Sequence, residues 1–237
     1  MSNVVQPAEH RPEIGRRVLR TLRRMLSELG FLLPSLPIAI LGCSLIVSLF
    51  AVGVGTVLTF VGVFLLIGAL VAARWFGMVE VARLRLAGRR DVPQPTPAVN
   101  GAEAGVVSRL KRVLTDRQYW SSLLHGAILN PMVSIFSWTV TVAWLAVGLG
   151  GASHWIWSQY APDPERDSEL STVLANWLQP HAAGWVNAAA ADDLLWAAAG
   201  AAFLLTLPLV TRGLVALHAF AARGTLAGSR LRPSATH

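Results

Sequence analysis

The residue types able to do chemistry gather in one stretch, residues 151–192. His154 and His181, with Asp163, Glu165 and Asp167, are metal-ligating types. Their spacing matches no zinc pattern, which would bring short Cys/His pairs, so no metal site is expected. The histidines titrate near neutrality, but nothing else in the sequence supports a pH-sensing pair. The acidic run Asp163–Glu169 reads as a solvated loop that would also repel anions or attract cationic peptides.

The same stretch holds Trp155, Trp157, Tyr160, Trp177 and Trp185, with Trp196 just beyond. Two readings stand. Trp and Tyr form belts at membrane interfaces, where the ring is apolar and the N–H or O–H stays wet. They would also make a shallow aromatic ligand platform for a lipid, a hydrophobic drug or a cell-envelope precursor. Elsewhere the chain has no GxxxxGK[ST] phosphate loop, no GxGxxG opening a helix and no GxSxG elbow. No enzyme activity and no cofactor are expected.

The elements that carry these residues follow from composition. Of 237 residues, 54% are hydrophobic and 14% charged, against about 45–50% and about 25% in soluble domains. That excludes disorder over most of the chain, and a single cysteine, Cys43, excludes a disulfide scaffold. An all-α integral membrane protein remains. A bilayer core needs about 20 apolar residues in helix, and four stretches supply them: 31–51, 56–73, 123–149 and 193–211. Within these spans hydropathy finds no central acid, histidine or arginine, the usual marker of an ion or proton path.

Nineteen of the 20 Arg/Lys residues lie in 1–30, 74–122 or 212–237, and Arg166 alone lies in 151–192. The positive-inside rule then places both termini in the cytoplasm and 151–192 outside, in a multi-pass protein of the inner or plasma membrane. No cleavable leader is expected, because the first apolar run is too long for one.

The sequence also reads as a duplication. Each half opens with a basic amphipathic helix. Arg16, Arg17, Arg20, Arg23 and Arg24 lie opposite an apolar stripe in the first, and Arg109, Lys111 and Arg112 do so in the second. These cations are expected to meet anionic lipid headgroups. Each half then has a proline-bearing helix, with Pro37 or Pro131, running to AVGVG (Gly53, Gly55) or AVGLG (Gly148, Gly150). These prolines and glycines are the candidate hinges. The expectation is four transmembrane helices in two parallel duplicated hairpins. The halves are 13–90 and 106–229, separated by a Pro-rich cytosolic linker at 91–105 and flanked by tails 1–12 and 230–237. No nucleic-acid partner is expected, because the arginines flank apolar blocks and form no single patch.

Several segments resemble a known family. A Leu-Pro near the start of the first apolar helix, a Gly-x-Gly turn, and a second helix running into Arg-rich sequence come first. Asp116 to Trp120 then form a D-x-x-x-W segment, and Pro208, Thr211-Arg212 and Leu217-His218-Ala219 close the last helix. Together they are similar to the "putative sensor" domain at the N-terminus of many actinobacterial two-component histidine kinases. The chain stops nine residues after Gly228, so the resemblance implies a stand-alone sensor without a kinase domain. It would detect an envelope or membrane-borne cue and relay it to a separate partner, such as a histidine kinase, a regulator or a transporter subunit. A homodimer is compatible with this. A non-sensing accessory subunit of a transporter or envelope complex is the alternative, and a small-molecule exporter a third reading.

Overall fold

A computed structural model describes residues 11–92, 106–158, 160 and 188–226. The secondary structure among the described residues is helical: α1 (Arg11–Leu32), α2 (Ser35–Gly55), α3 (Phe60–Leu86), α4 (Val106–Thr115), α5 (Arg117–Leu124), α6 (Asn130–Ala152), α7 (His154–Trp157) and α8 (Ala188–Leu226). A π-helical turn, His125–Leu129, joins α5 to α6. Four helical segments are long and apolar enough to cross a membrane: Leu19–Gly55, Phe60–Leu86, Arg117–Ala152 and Asp193–Thr225. They overrun the hydropathy windows, most of all at the C-terminal ends of α3 and α8.

Local chemistry sets the breaks. Proline disfavours helix in the residue before it, and α1 ends at Leu32, just before Leu33-Pro34. Pro37 falls in the first turn of α2, where a missing N–H leaves no bond unmade. The turn into α3 is capped by Thr59, whose side chain accepts from the Gly62 N–H. A Cβ on Gly62 would stand 2.1 Å from the Thr56 carbonyl oxygen, so only glycine fits. At the far end of α3, Gly88 adopts φ 90°. The Arg89 N–H bonds Leu84 O and the Gly88 N–H bonds Arg85 O, the paired closure that ends helices on a left-handed glycine.

Asp116 caps α5 by accepting from the Gln118 N–H at 2.9 Å. Trp120 donates from Nε1 to the Leu114 carbonyl at 2.8 Å and fastens α4 to α5. The D-x-x-x-W spacing is thus a helix joint. Pro131, about three turns beyond Trp120, has no N–H for the carbonyl of Ala127. The π-helical turn lies there, and the Cys43 thiol of α2 donates to that carbonyl at 3.4 Å. The two prolines therefore have different local roles: Pro37 starts a helix, whereas Pro131 sits beside a widened turn inside one.

The chain divides into two compact units, Met1–Thr139 with Thr211–His237, and Val140–Val210. In the first, α2 and α3 run antiparallel. A Cβ on Gly42 would lie 3.0 Å from the Phe76 ring, and one on Gly53 2.8 Å from Leu66 N. Leu32, Ile46, Leu70 and Leu84 are fully buried there, together with Ser122, His125, Ser134, Thr211 and His218. Large apolar side chains lie outside, among them Leu41 (68% exposed), Phe60 (90%) and Met132 (65%). Polar groups inside and apolar groups outside reverse the arrangement of a protein packed for water. In the second unit, α6 and α8 approach through glycines. A Cβ on Gly148 would meet Leu204 at 2.9 Å, and one on Gly200 would meet Ala152 N at 2.3 Å.

Candidate functional site: a buried carboxylate between two imidazoles

The polar centre of the first unit is Glu80. On α3 the buried residues Ala69, Ala73, Gly77, Glu80 and Leu84 recur every three or four positions, so one helical stripe carries the acid inward. Glu80 Oε2 lies 2.8 Å from His125 Nε2, at the start of the π-helical turn. Glu80 Oε1 lies 3.5 Å from His218 Nδ1 on α8. Each imidazole is 1% exposed.

The two histidines are held differently. His125 Nδ1 is 2.7 Å from Thr225 Oγ1, so both of its ring nitrogens have protein partners. The Thr225 hydroxyl also lies within donating distance of the Ala221 carbonyl, 2.9 Å, and the Thr225 carbonyl accepts from Ser121 Oγ. His218 packs edge-on against Phe31, ring centroids 5.1 Å apart, and its Nε2 is buried without a hydrogen-bond partner. Arg83, one turn from Glu80, donates to the Phe31 carbonyl at 2.7 Å and lies 4.9 Å over the Phe31 ring. A cavity of about 10 Å³ opens beside the cluster, lined by Glu80, Arg83, His218, Ser35, Asn130 and Ser134 among others.

A second acid is buried in the same unit. Glu28 of α1 is 3% exposed. It pairs with Arg24 at 3.2 Å and accepts from Thr211 Oγ1 of α8 at 2.7 Å. The first and last long helices are thereby joined by side chains. A carboxylate bridging two imidazoles can take up a proton and hand it on. Among the described residues, no group of three or more His, Cys, Asp or Glu is arranged to hold a metal.

The second unit has a smaller cluster. His154 Nδ1 lies 2.8 Å from Asp193 Oδ1. Its ring stacks on Trp196 at 5.6 Å and meets Trp157 edge-on at 4.7 Å. Trp157 Nε1 donates to the Gly150 carbonyl at 3.0 Å. Trp155 and Tyr160 stand exposed, at 58% and 82%. Trp177, Trp185, His181 and the acidic run lie outside the described residues, so the aromatic platform is represented here by Trp155, Trp157 and Tyr160.

Of the hinge glycines, Gly53 and Gly148 each press on a leucine of a later helix, while a Cβ at Gly55 or Gly150 would meet nothing within 4 Å. Arg16, Arg20, Arg23, Arg24, Lys111 and Arg112 are exposed. The side chains of Arg17 and Arg109 lie outside the described residues. Leu19, Leu22 and Leu26 of α1 are 68%, 45% and 65% exposed, leaving that apolar stripe uncovered.

Hydropathy placed no ionisable group at the centre of the helices. That holds for the windows themselves, since Glu28, Glu80 and His218 fall beyond them and His125 at the start of one; the structure adds that these four are buried, with Thr211, inside the first unit. The available signal was Glu80, the single acid between Thr56 and Arg90, in register with Ala69, Ala73 and Gly77. The arginines that follow it, Arg83 and Arg85, mask that signal in a hydropathy profile.

Comparison with curated proteins found no match, and comparison with solved structures found none. The family model described as "Putative sensor" matches residues 31–226, a range that takes in α2 through α8, and the chain belongs to that family.

Proposed function

We propose that the protein is a membrane-embedded sensor or signalling accessory subunit. It sits in the cell membrane with both termini cytoplasmic, detects an envelope or membrane-associated cue on its outer face, and relays it to a separate protein partner. The observation that carries this is family membership over residues 31–226. The single helix α8 adds support, because it bears the contacts of both polar clusters. Asp193 and Trp196 meet His154 near its start, and Thr211, His218 and Thr225 meet Glu28, Glu80 and His125 near its end. A cue that shifts α8 would disturb buried hydrogen bonds at the arginine-bearing end, where the partner would dock.

The reading includes an internal duplication, which the glycine contacts support. A Cβ on the first glycine of AVGVG would meet Leu66 and one on that of AVGLG would meet Leu204, whereas a Cβ on the second glycine of each would meet nothing within 4 Å.

The test is a mild-detergent pull-down of the tagged protein from its native membrane, with partners identified by mass spectrometry. Recovery of a histidine kinase, response regulator or transcription regulator is the expected result. Recovery of transporter or envelope-synthesis subunits alone would overturn the sensor reading in favour of an accessory one.

A further inference from the structure

We propose that the cavity beside Glu80 is a water-binding site, and that the water it holds extends a hydrogen-bonded chain from Thr225 to His218. The inference stands apart from the sensor reading. It begins with two atoms, Glu80 Oε1 and His218 Nε2, both buried and both lacking a hydrogen-bond partner. Buried polar atoms in native proteins nearly always have a partner, from protein or from ordered water. These two belong to residues that line the same cavity.

Space and chemistry agree. The cavity measures about 10 Å³, and a site for one water needs about 10–15 Å³ together with two to four polar partners. Its wall offers more than the two orphans. Ser35 spends its proton on the Leu32 carbonyl and Ser134 spends its own on Asn130 Oδ1, leaving hydroxyl lone pairs as acceptors. Arg83 uses Nη2 on the Phe31 carbonyl. Phe31, Ile38 and Phe76 complete the wall and leave such a water no bulk-like shell to join.

With a water in place, every joint of the chain Thr225, His125, Glu80, water, His218 has a donor and an acceptor. At the first joint Thr225 can turn its single hydroxyl proton to His125 Nδ1 at 2.7 Å or to the Ala221 carbonyl at 2.9 Å. A proton gained by His125 at Nδ1 is therefore accommodated by rotating one hydroxyl. Handing a proton along moves one N–H or O–H proton per joint and leaves each intermediate group with as many protons as before. No oxidant or reductant is involved. At the last joint Glu80 Oε1 comes directly only to the other ring nitrogen, His218 Nδ1, at a long 3.5 Å, so the link from Oε1 to Nε2 is the one that needs a bridging water.

The experiment is water-edited solid-state NMR on the full chain, labelled with ¹⁵N-histidine, in liposomes of phosphatidylcholine and phosphatidylglycerol. His125→Gln and His218→Gln assign the two buried rings, which share the same 1% exposure. The expected result is polarisation transfer from water to the His218 ring at least about twofold faster than to the His125 ring, since only His218 has a nitrogen free for water. Equal or slower transfer at His218 overturns the proposal. A second variant, Ser134→Leu, fills the cavity and should abolish the fast transfer at His218. Its persistence, with the remaining histidine signals unmoved, would likewise overturn the proposal. The comparison of two rings within the unaltered protein decides the matter even if that variant does not fold.

Discussion

Removing the Glu80 carboxylate should loosen the first unit measurably. In Glu80→Ala, the His125 Nε2 partner at 2.8 Å and the longer His218 contact at 3.5 Å both vanish. Hydrogen bonds to charged groups contribute about 1.5–3 kcal/mol each, and removing one partner of a buried pair costs about 3–5 kcal/mol because the other is stranded. The 3.5 Å contact adds little, so a loss of about 3 kcal/mol is expected. In a chain of this length that corresponds to a fall in Tm of about 6–12 °C. Cys43 supplies the assay. It is the chain's one cysteine, and its thiol bonds the Ala127 carbonyl in the π-helical turn that begins at His125. A thiol-reactive fluorophore in mild detergent therefore reads the opening of the region under test. The decisive quantity is the coupling in a double-mutant cycle of Glu80→Ala with His125→Ala. It should be about 1.5–3 kcal/mol if the two side chains act as a pair. Coupling below about 0.5 kcal/mol would refute the account of a bridged carboxylate.

Three further outcomes follow from the geometry. Gly62→Ala forces a Cβ to 2.1 Å from the Thr56 carbonyl oxygen, so it should destabilise by at least about 1–3 kcal/mol, seen as a lower Tm in the same assay. Asp116→Ala removes the cap on α5 and should cost about 0.5–2 kcal/mol, whereas Asp116→Asn should keep most of it; equal losses would mean that the cap is not what Asp116 supplies. Pro131→Ala returns an N–H that can take the Ala127 carbonyl from Cys43, so Cys43 should label faster with little loss of helix by circular dichroism; unchanged labelling would show that the proline does not maintain that carbonyl's exposure.

How much could be read from the sequence depends on which property each feature reports. Four apolar runs announced four long helices, because composition tracks what faces hydrocarbon. Their ends were not legible in the same way. α3 continues from Ala73 to Leu86 and α8 from Thr211 to Leu226, through arginines and, in α3, the acid Glu80, which hydropathy reads as the end of a helix. Helix formation answers to backbone pairing, and only capping chemistry such as Gly88 marks where it stops. Glu80 was missed for a related reason. Its neighbours Arg83 and Arg85 made it look solvated, while the stripe of small residues that carries it inward repeats every three to four positions and shows only at helical period. His218 could not be read at all without α3 beside it, since nothing local to it encodes a partner 138 residues away in the chain.

The long reach of these contacts also sets a schedule for biogenesis. Glu28 and its partner Thr211 are separated by 183 residues. At about 5–20 residues per second of synthesis, the acid waits roughly 10–40 s before that hydroxyl exists. Glu80 waits likewise for His218, so the early helices enter the insertion machinery as an incomplete assembly with two acids short of their final partners. Of the described helices, α8 is made last and completes both sites. A nascent chain stalled before residue 211 would keep its apolar segments and lack the groups that satisfy its interior, a distinction by which membrane quality control could tell unfinished copies from finished ones.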